Sequence, residues 1–243
     1  MPLVQLGKVD RFICRNAGDL RRKPADAEDF EKCRAAVHRG ARGIAENDDV
    51  RAHRFDDQTP LEETLSTLTS LVNQGKVRYI GCSNYAAWQI AKANGISNLH
   101  GLEHFVSSQS QYNLLSRELE DEVVPYCVSE KVGLLVYSPM ARGMLSGKYT
   151  SRDDVPEGSR AARGEKLIQN YFKDENFGKV EAYRQAAVEH NVNLSQFSLA
   201  WLLNQPAVTS AIVGASKPYH VTDAAEISDW RRSDELKQKV TLL

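Results

Sequence analysis

From Thr59 onward the chain alternates two hydrophobic periods. Leu61, Leu65, Leu68 and Leu71 fall on one face of a helix. Thr59-Pro60-Leu61-Glu62 before them reads as a capping box with proline at the first helical position, and Gly75 stops the run. Val77–Cys82 then reads as a buried strand that ends at Ser83-Asn84, followed by a short helix near Ala86–Ala93 with Trp88, Ile90 and Ala91 as apolar candidates. Phe105–Tyr112, FVSSQSQY, is the next strand and is polar for a core position. Arg117–Lys131 reads as a helix with its acidic residues early, as the helix dipole favours. Gly133–Val136 is a short apolar strand running into Tyr137-Ser138-Pro139. A connection from Met140 to about Gln169, rich in Gly, Arg and Ser, has the length of a functional or disordered loop. Helices are expected at Asn176–His190 and Ser195–Asn204, the second led by a serine cap. A strand at Thr209–Val213, a further helix and a terminal helix at Asp234–Leu243 complete the series.

Strand–helix units repeated in this way imply crossover connections and a parallel sheet, and a (β/α) barrel is the expected closure. The first 58 residues do not continue the pattern. Asp29–Val37 has Phe30, Cys33 and Val37 on one helical stripe, but Gly40–His53, where a strand is needed, is mostly charged and small. A buried parallel strand reads as a continuous apolar run, and this segment does not.

Composition narrows the class without naming it. Of 243 residues 42% are apolar and 26% charged, as in soluble globular proteins. A net charge of −1 gives no field for nucleic acid or an anionic membrane. Cys14, Cys33, Cys82 and Cys127 form no C-x-x-C pair, so reduced thiols, no metal site and a cytoplasmic location are expected. The start, MPLVQLGKVDRF, has no apolar leader core, and no run approaches a membrane span.

Ligands in α/β sheets and barrels sit at the carboxyl ends of strands, and four such ends carry chemistry here: His53-Arg54, Ser83-Asn84, Gln109 with Gln111, and Tyr137-Ser138. A serine and an amide at a strand end can grip a carboxamide with donor and acceptor together. The plainer alternatives are a turn capped by Ser83 or Asn84, an exposed His53, a satisfied core amide at Gln109 and a core ring at Tyr137. A fifth element, Gly214-Ala215-Ser216-Lys217 at a helix start, offers N–H groups, a hydroxyl and an ammonium to a phosphate. Ordinary capping by Ser216 is its alternative.

From His53 to the C-terminus, about three quarters of the chain, the sequence resembles the aldo-keto reductase family, most closely the bacterial type that also resembles potassium-channel beta subunits. The matching runs are HRFDDQTPLEETL, GKVRYIGCSNY, FVSSQSQYNLLSRE, VYSPMARGMLSGKY and AIVGASKPYHVTDA. The resemblance implies an NADP(H)-dependent (β/α)8 barrel acting on aldehydes or ketones. It implies that Ser83, Asn84 and Gln109 hold the nicotinamide carboxamide and that Tyr137 stacks on the ring. Ser138, Met140, Arg142 and Gly143 would follow the pyrophosphate, and Gly214, Ser216 and Lys217, with His220 nearby, would take the adenosine 2′-phosphate. Where relatives carry an asparagine against adenine, this chain has Ala224.

Family chemistry uses an aspartate, a tyrosine, a lysine and a histidine, the tyrosine as general acid with its pKa tuned by the other groups. Only the histidine has a counterpart, His53. No D-x-x-x-x-Y-G pattern occurs, and if RFICRNAG is the remnant of the lysine-bearing strand, Arg15 stands in the lysine's place, a poor substitute because arginine does not deprotonate. Three strand–helix units before His53 need on the order of 90 residues, against the 52 present. The expectation is therefore an incomplete barrel lacking its first two strands, with residues 1–52 a degenerate remnant and 53–243 the NADP-binding portion. Open edges would favour self-association. The expected function is an impaired NADP(H)-dependent oxidoreductase of a small carbonyl substrate; the alternatives are a non-catalytic NADP(H)-binding or regulatory protein, or a non-functional fragment.

Overall fold

The computed structural model describes residues 3–7, 49–215 and 218–230. Strands β1 (Leu3–Gly7), β2 (Asp49–Ala52), β3 (Tyr79–Ser83), β4 (Phe105–Gln111), β5 (Gly133–Tyr137) and β6 (Val208–Gly214) interleave with helices α1 (Leu61–Asn73), α2 (Ala87–His100), α3 (Val123–Ser129), α4 (Lys166–Gln169), α5 (Asp174–Glu189), α6 (Leu194–Asn204) and α7 (Pro218–Trp230). The fold is the expected α/β one: strands β2 to β6, with helices between them, form part of a (β/α)8 barrel. The described chain divides into two compact units, residues 49–110 with 125–134, and residues 3–7, 111–124, 135–215 and 218–230. The stretches Asp29–Val37 and Asp234–Leu243, with Cys14, Arg15, Cys33, Ser216 and Lys217, lie outside the described residues.

In the first unit β2, β3 and β4 run parallel, with Asp49 opposite Tyr79, Ala52 opposite Cys82 and Ser83 opposite Gln109. The register shifts between Ile80 and Gly81. Side chains alternate across a strand. One set, Val50, Ala52, Ile80, Cys82 and Phe105, joins the core formed with Leu61, Leu65, Leu68 and Leu71 of α1 and Ile90 and Ala93 of α2. The other set begins with Asp49, Arg51, Gly81 and Ser83, and it builds the candidate site. Burial pushes the Cys82 thiol up to about 12 and that of Cys127 up to about 11, so both buried thiols stay protonated and unreactive near neutral pH.

In the second unit β1 runs antiparallel to β6, from Leu3 opposite Gly214 to Gly7 opposite Ser210. Helix α6 is buried on nearly all sides, through Leu194, Phe197, Leu199, Ala200, Trp201, Leu202 and Leu203. The Tyr112 ring meets Trp201 edge-on at 5.4 Å, and the Arg117 guanidinium lies over the same indole at 5.1 Å. Arg117 also forks onto Glu120, whose Oε1 accepts from the Tyr112 hydroxyl at 2.7 Å.

Several local expectations are corrected. No capping box opens α1: Pro60 takes the cap position, and the Thr59 hydroxyl donates instead to Asp56 Oδ2 at 2.8 Å. Asp56 also accepts from the Gln58 N–H at 3.0 Å, and this local turn outcompetes the helix for Thr59. Helix α2 is longer than predicted and buries Ala87, Ile90, Ala93 and Ser97, while Trp88 is 57% exposed and Ala91 lies on the solvent side. The helix predicted over 117–131 splits into a 3₁₀ turn at Glu118–Glu120 and α3. Pro125 explains the break, since it is tolerated in a first turn but clashes inside a helix. The cap of α6 is Asn193, which accepts from the Gln196 N–H at 2.8 Å, rather than Ser195. The sequence does not predict a strand at Leu3–Gly7, and the charge of Gly40–His53 argues against one at Asp49–Ala52; both strands exist. Among the described residues no helix is long and apolar enough to cross a membrane.

Candidate functional site

The first unit gathers three of the expected residues into one hydrogen-bonded group. The Ser83 hydroxyl, on a 2% exposed residue at the end of β3, donates to the Gln109 backbone carbonyl at 2.8 Å. The Asn84 backbone N–H donates to the same oxygen at 2.9 Å. The Asn84 side-chain amide donates to Ser83 Oγ at 3.0 Å and to the His53 carbonyl at 3.5 Å. Asn84 reaches these partners from the left-handed region, φ 58°, which asparagine tolerates better than most residues. Neither side chain caps α2, whose first turn is served by the Gln89 amide oxygen accepting from the Ala86 N–H at 2.9 Å. The ends of β3 and β4 are thus tied together, with Asn84 exposed and Gln109 half-buried. The His53 side chain follows β2 directly and is exposed.

Behind Gln109 lies a polar layer that the sequence did not suggest. The Arg51 Nη1 donates to Gln109 Oε1 at 3.5 Å, and its Nη2 pairs with Asp49 Oδ2. The Ser107 hydroxyl donates to the same Asp49 oxygen at 3.1 Å. Burial holds the Asp49 carboxyl above its ordinary range, against the opposing pull of Arg51 and Ser107. Gly81 makes room for this layer. A Cβ there would stand 2.4 Å from Ser107 Oγ, 2.7 Å from the Ser107 carbonyl oxygen and 3.3 Å from Arg51 Cγ. The hydroxyl can rotate away, but the carbonyl belongs to the neighbouring strand. Gly81→Ala is therefore expected to cost about 1–3 kcal/mol of stability as an overpacked site, seen as a lower urea midpoint; a midpoint unchanged from wild type would show that β4 yields freely.

The second unit carries the remaining candidates. Tyr137 is half-buried at the end of β5, and the next residue, Ser138, has φ 55°. The Ser138 carbonyl accepts from the Asn113 amide at 3.0 Å. Ala141, Arg142 and Gly143 follow with φ 44°, 59° and 108°, an unusual run of left-handed residues. Met140 opens this turn, its carbonyl accepting from the Gly143 N–H at 2.7 Å. Arg142 is tethered to Glu165 at 3.4 Å, which Arg160 also approaches at 3.6 Å. Gly214 is exposed at the end of β6, and His220 is half-buried on α7. Ala224, where the resemblance expects an adenine-contacting asparagine, is 1% exposed.

Tyr171 was missed. Its hydroxyl oxygen accepts from Gln111 Nε2 at 2.8 Å, Asn113 Nδ2 at 3.3 Å and Ser116 Oγ at 3.3 Å. It pins the far end of the long connection beside the turn after β4. No periodic signal marks it, because it lies between two helices.

With this geometry in view, comparison with known proteins is specific. The model of the Aldo/keto reductase family matches residues 30–240. The chain is 32% identical over 177 residues to versiconal hemiacetal acetate reductase of Aspergillus parasiticus, covering 73% of this chain and 51% of that protein. It is 34% identical over 185 residues to a probable voltage-gated potassium channel subunit beta of Oryza sativa subsp. japonica, covering 75% and 56%. An aldo-keto reductase of Fusarium vanettenii is 34% identical over 178 residues, covering 73% and 47%. The chain thus spans about half the length of the curated relatives it matches. The extent of the family match, together with these identities, establishes that the chain belongs to the aldo/keto reductase family.

Proposed function

We propose that this chain binds NADP(H) as an oxidoreductase of the aldo/keto reductase type, for small aldehydes or ketones, with its chemistry strongly impaired. The observation that carries this reading is the group formed by Ser83, Asn84 and Gln109, in which two strand ends share one carbonyl acceptor. Two side-chain amides and a hydroxyl beside an exposed edge suit a carboxamide, which needs both a donor and an acceptor. The donor set therefore fits the nicotinamide end of the cofactor. When bound, the reduced nicotinamide supplies a hydride to a carbonyl carbon. Tyr137 would offer its ring to the nicotinamide, and the turn at Ser138, Met140, Arg142 and Gly143 would follow the pyrophosphate. Gly214, Ser216, Lys217 and His220 would take the adenosine phosphate, and the preference for NADP over NAD rests on Ser216 and Lys217. A cytoplasmic location, no nucleic-acid or membrane partner, and self-association through open strand edges belong to the same proposal.

A second reading, an NADP(H)-binding or regulatory protein without turnover, is favoured by the exposed His53 side chain. Proton transfer needs a group held in fixed geometry against the reacting atom, and an exposed side chain just past a strand end has little packing to hold it. Both readings need the cofactor. NADPH fluorescence is expected to change on titration with the folded protein. No change, in protein shown to be folded by circular dichroism, would remove both readings together.

A further inference from the structure

Strand β2 is polar where a parallel strand is usually an apolar run, and the structure shows where that polarity goes. Arginine carries only N–H donors. The Gln109 amide atom that faces Arg51 Nη1, 3.5 Å away, is therefore its oxygen, and the –NH2 group points elsewhere. Asp49, whose Oδ2 also accepts from the Ser107 hydroxyl, holds the guanidinium from the other side, with side-chain exposures of only 5% for Asp49 and 12% for Arg51. Gly81 leaves the slot in which Arg51 lies.

Stability alone does not account for this arrangement. A buried ion pair is often no better than an apolar pair of similar volume. This one also leaves Asp49 Oδ1 and Arg51 Nε buried with no hydrogen-bond partner among the described residues, and each such group keeps its full desolvation penalty. A local rule broken beside a candidate ligand-binding amide is the pattern expected of a functional constraint.

We propose that Arg51, held by Asp49, is a positioning residue: it fixes the Gln109 side chain so that its –NH2 group is offered to the ligand. The carboxamide recognised on this face then presents its carbonyl oxygen to Gln109. This inference rests on the cofactor reading above and adds the direction in which the carboxamide is read.

The test compares wild type with the double variant Asp49→Leu/Arg51→Leu, which removes both charges together and leaves neither buried alone. NADPH and its thionicotinamide analogue, whose sulfur is a weaker acceptor than oxygen, are titrated by calorimetry. Wild type is expected to prefer NADPH by about 3- to 10-fold, the worth of one net hydrogen bond. The double variant is expected to bind NADPH about 3- to 10-fold more weakly and to lose the preference. In ligand-free 15N-labelled protein, the Gln109 side-chain amide signals, assigned with Gln109→Glu, are expected to move toward those of a free glutamine. Arg51→Lys replaces the planar fork by a point charge; it is expected to lose the preference too, and serves if the double variant does not fold. Unchanged affinity, preference and amide signals in a folded variant would overturn the positioning role and leave the cofactor reading standing. A wild type that binds neither dinucleotide would overturn the cofactor reading, and this inference with it.

Discussion

NADPH oxidation with a reactive aromatic aldehyde is expected to run about 10²–10⁴-fold below that of a competent relative, the usual range when general acid catalysis is lost. The chain as it stands holds no D-x-x-x-x-Y-G segment to supply the acid. Tyr112 and Tyr171 do not replace it. Tyr112 is fully buried, with its hydroxyl donated to Glu120, and burial together with that carboxylate pushes its pKa far up. Tyr171, at 5% exposure, already accepts three hydrogen bonds. A steady-state assay at saturating NADPH decides the matter. Turnover near ~1 s⁻¹, an ordinary enzyme rate, would show that another group serves as acid, and replacing His53 by alanine would then report whether it takes part.

Trp201→Ala is expected to be the most damaging single core substitution, at about 3–5 kcal/mol. The indole is 2% exposed, sits in a helix buried on nearly all sides, meets the Tyr112 ring edge-on and carries the Arg117 guanidinium over its face. Truncation removes the burial and both directed contacts, and leaves a cavity. A domain's whole stability is about 5–15 kcal/mol, so the variant is expected to unfold at much lower urea than wild type. The control is Trp88→Ala. That ring is 57% exposed and tilts against Phe55 at 5.7 Å, so its loss is expected to cost about 0.5–1.5 kcal/mol, near the worth of an aromatic pair. Equal urea midpoints for the two variants would contradict this ranking.

The contrast between the two tryptophans shows what the sequence could and could not convey. The leucine stripe of α1 was legible because four residues at helical spacing admit one burial pattern, and all four are buried. Trp88 reads as core in the sequence because it is the largest apolar residue of α2, yet it is exposed. The helix instead buries small residues, Ala87, Ala93 and Ser97, around Ile90. Caps were unreliable for a related reason: Thr59 and Ser195 are good caps in isolation, but Asp56 claims the first and Asn193 precedes the second. Of the candidate site, Ser83, Asn84 and Gln109 were legible as strand ends, since pairing of β3 with β4 brings Ser83 opposite Gln109. Asp49 and Arg51 were not legible, because charge in a strand reads as a reason to doubt the strand. Only coordinates show that the two charges satisfy part of each other and part of Ser107 and Gln109.

Titration of 15N-labelled protein with NADPH addresses carboxamide recognition at the ends of β3 and β4 directly. The expected result is a set of saturable shifts that includes the backbone amides of Ser83 and Asn84 and the side-chain amide of Gln109. Saturable binding that leaves those three signals in place, or no binding at all, would contradict it.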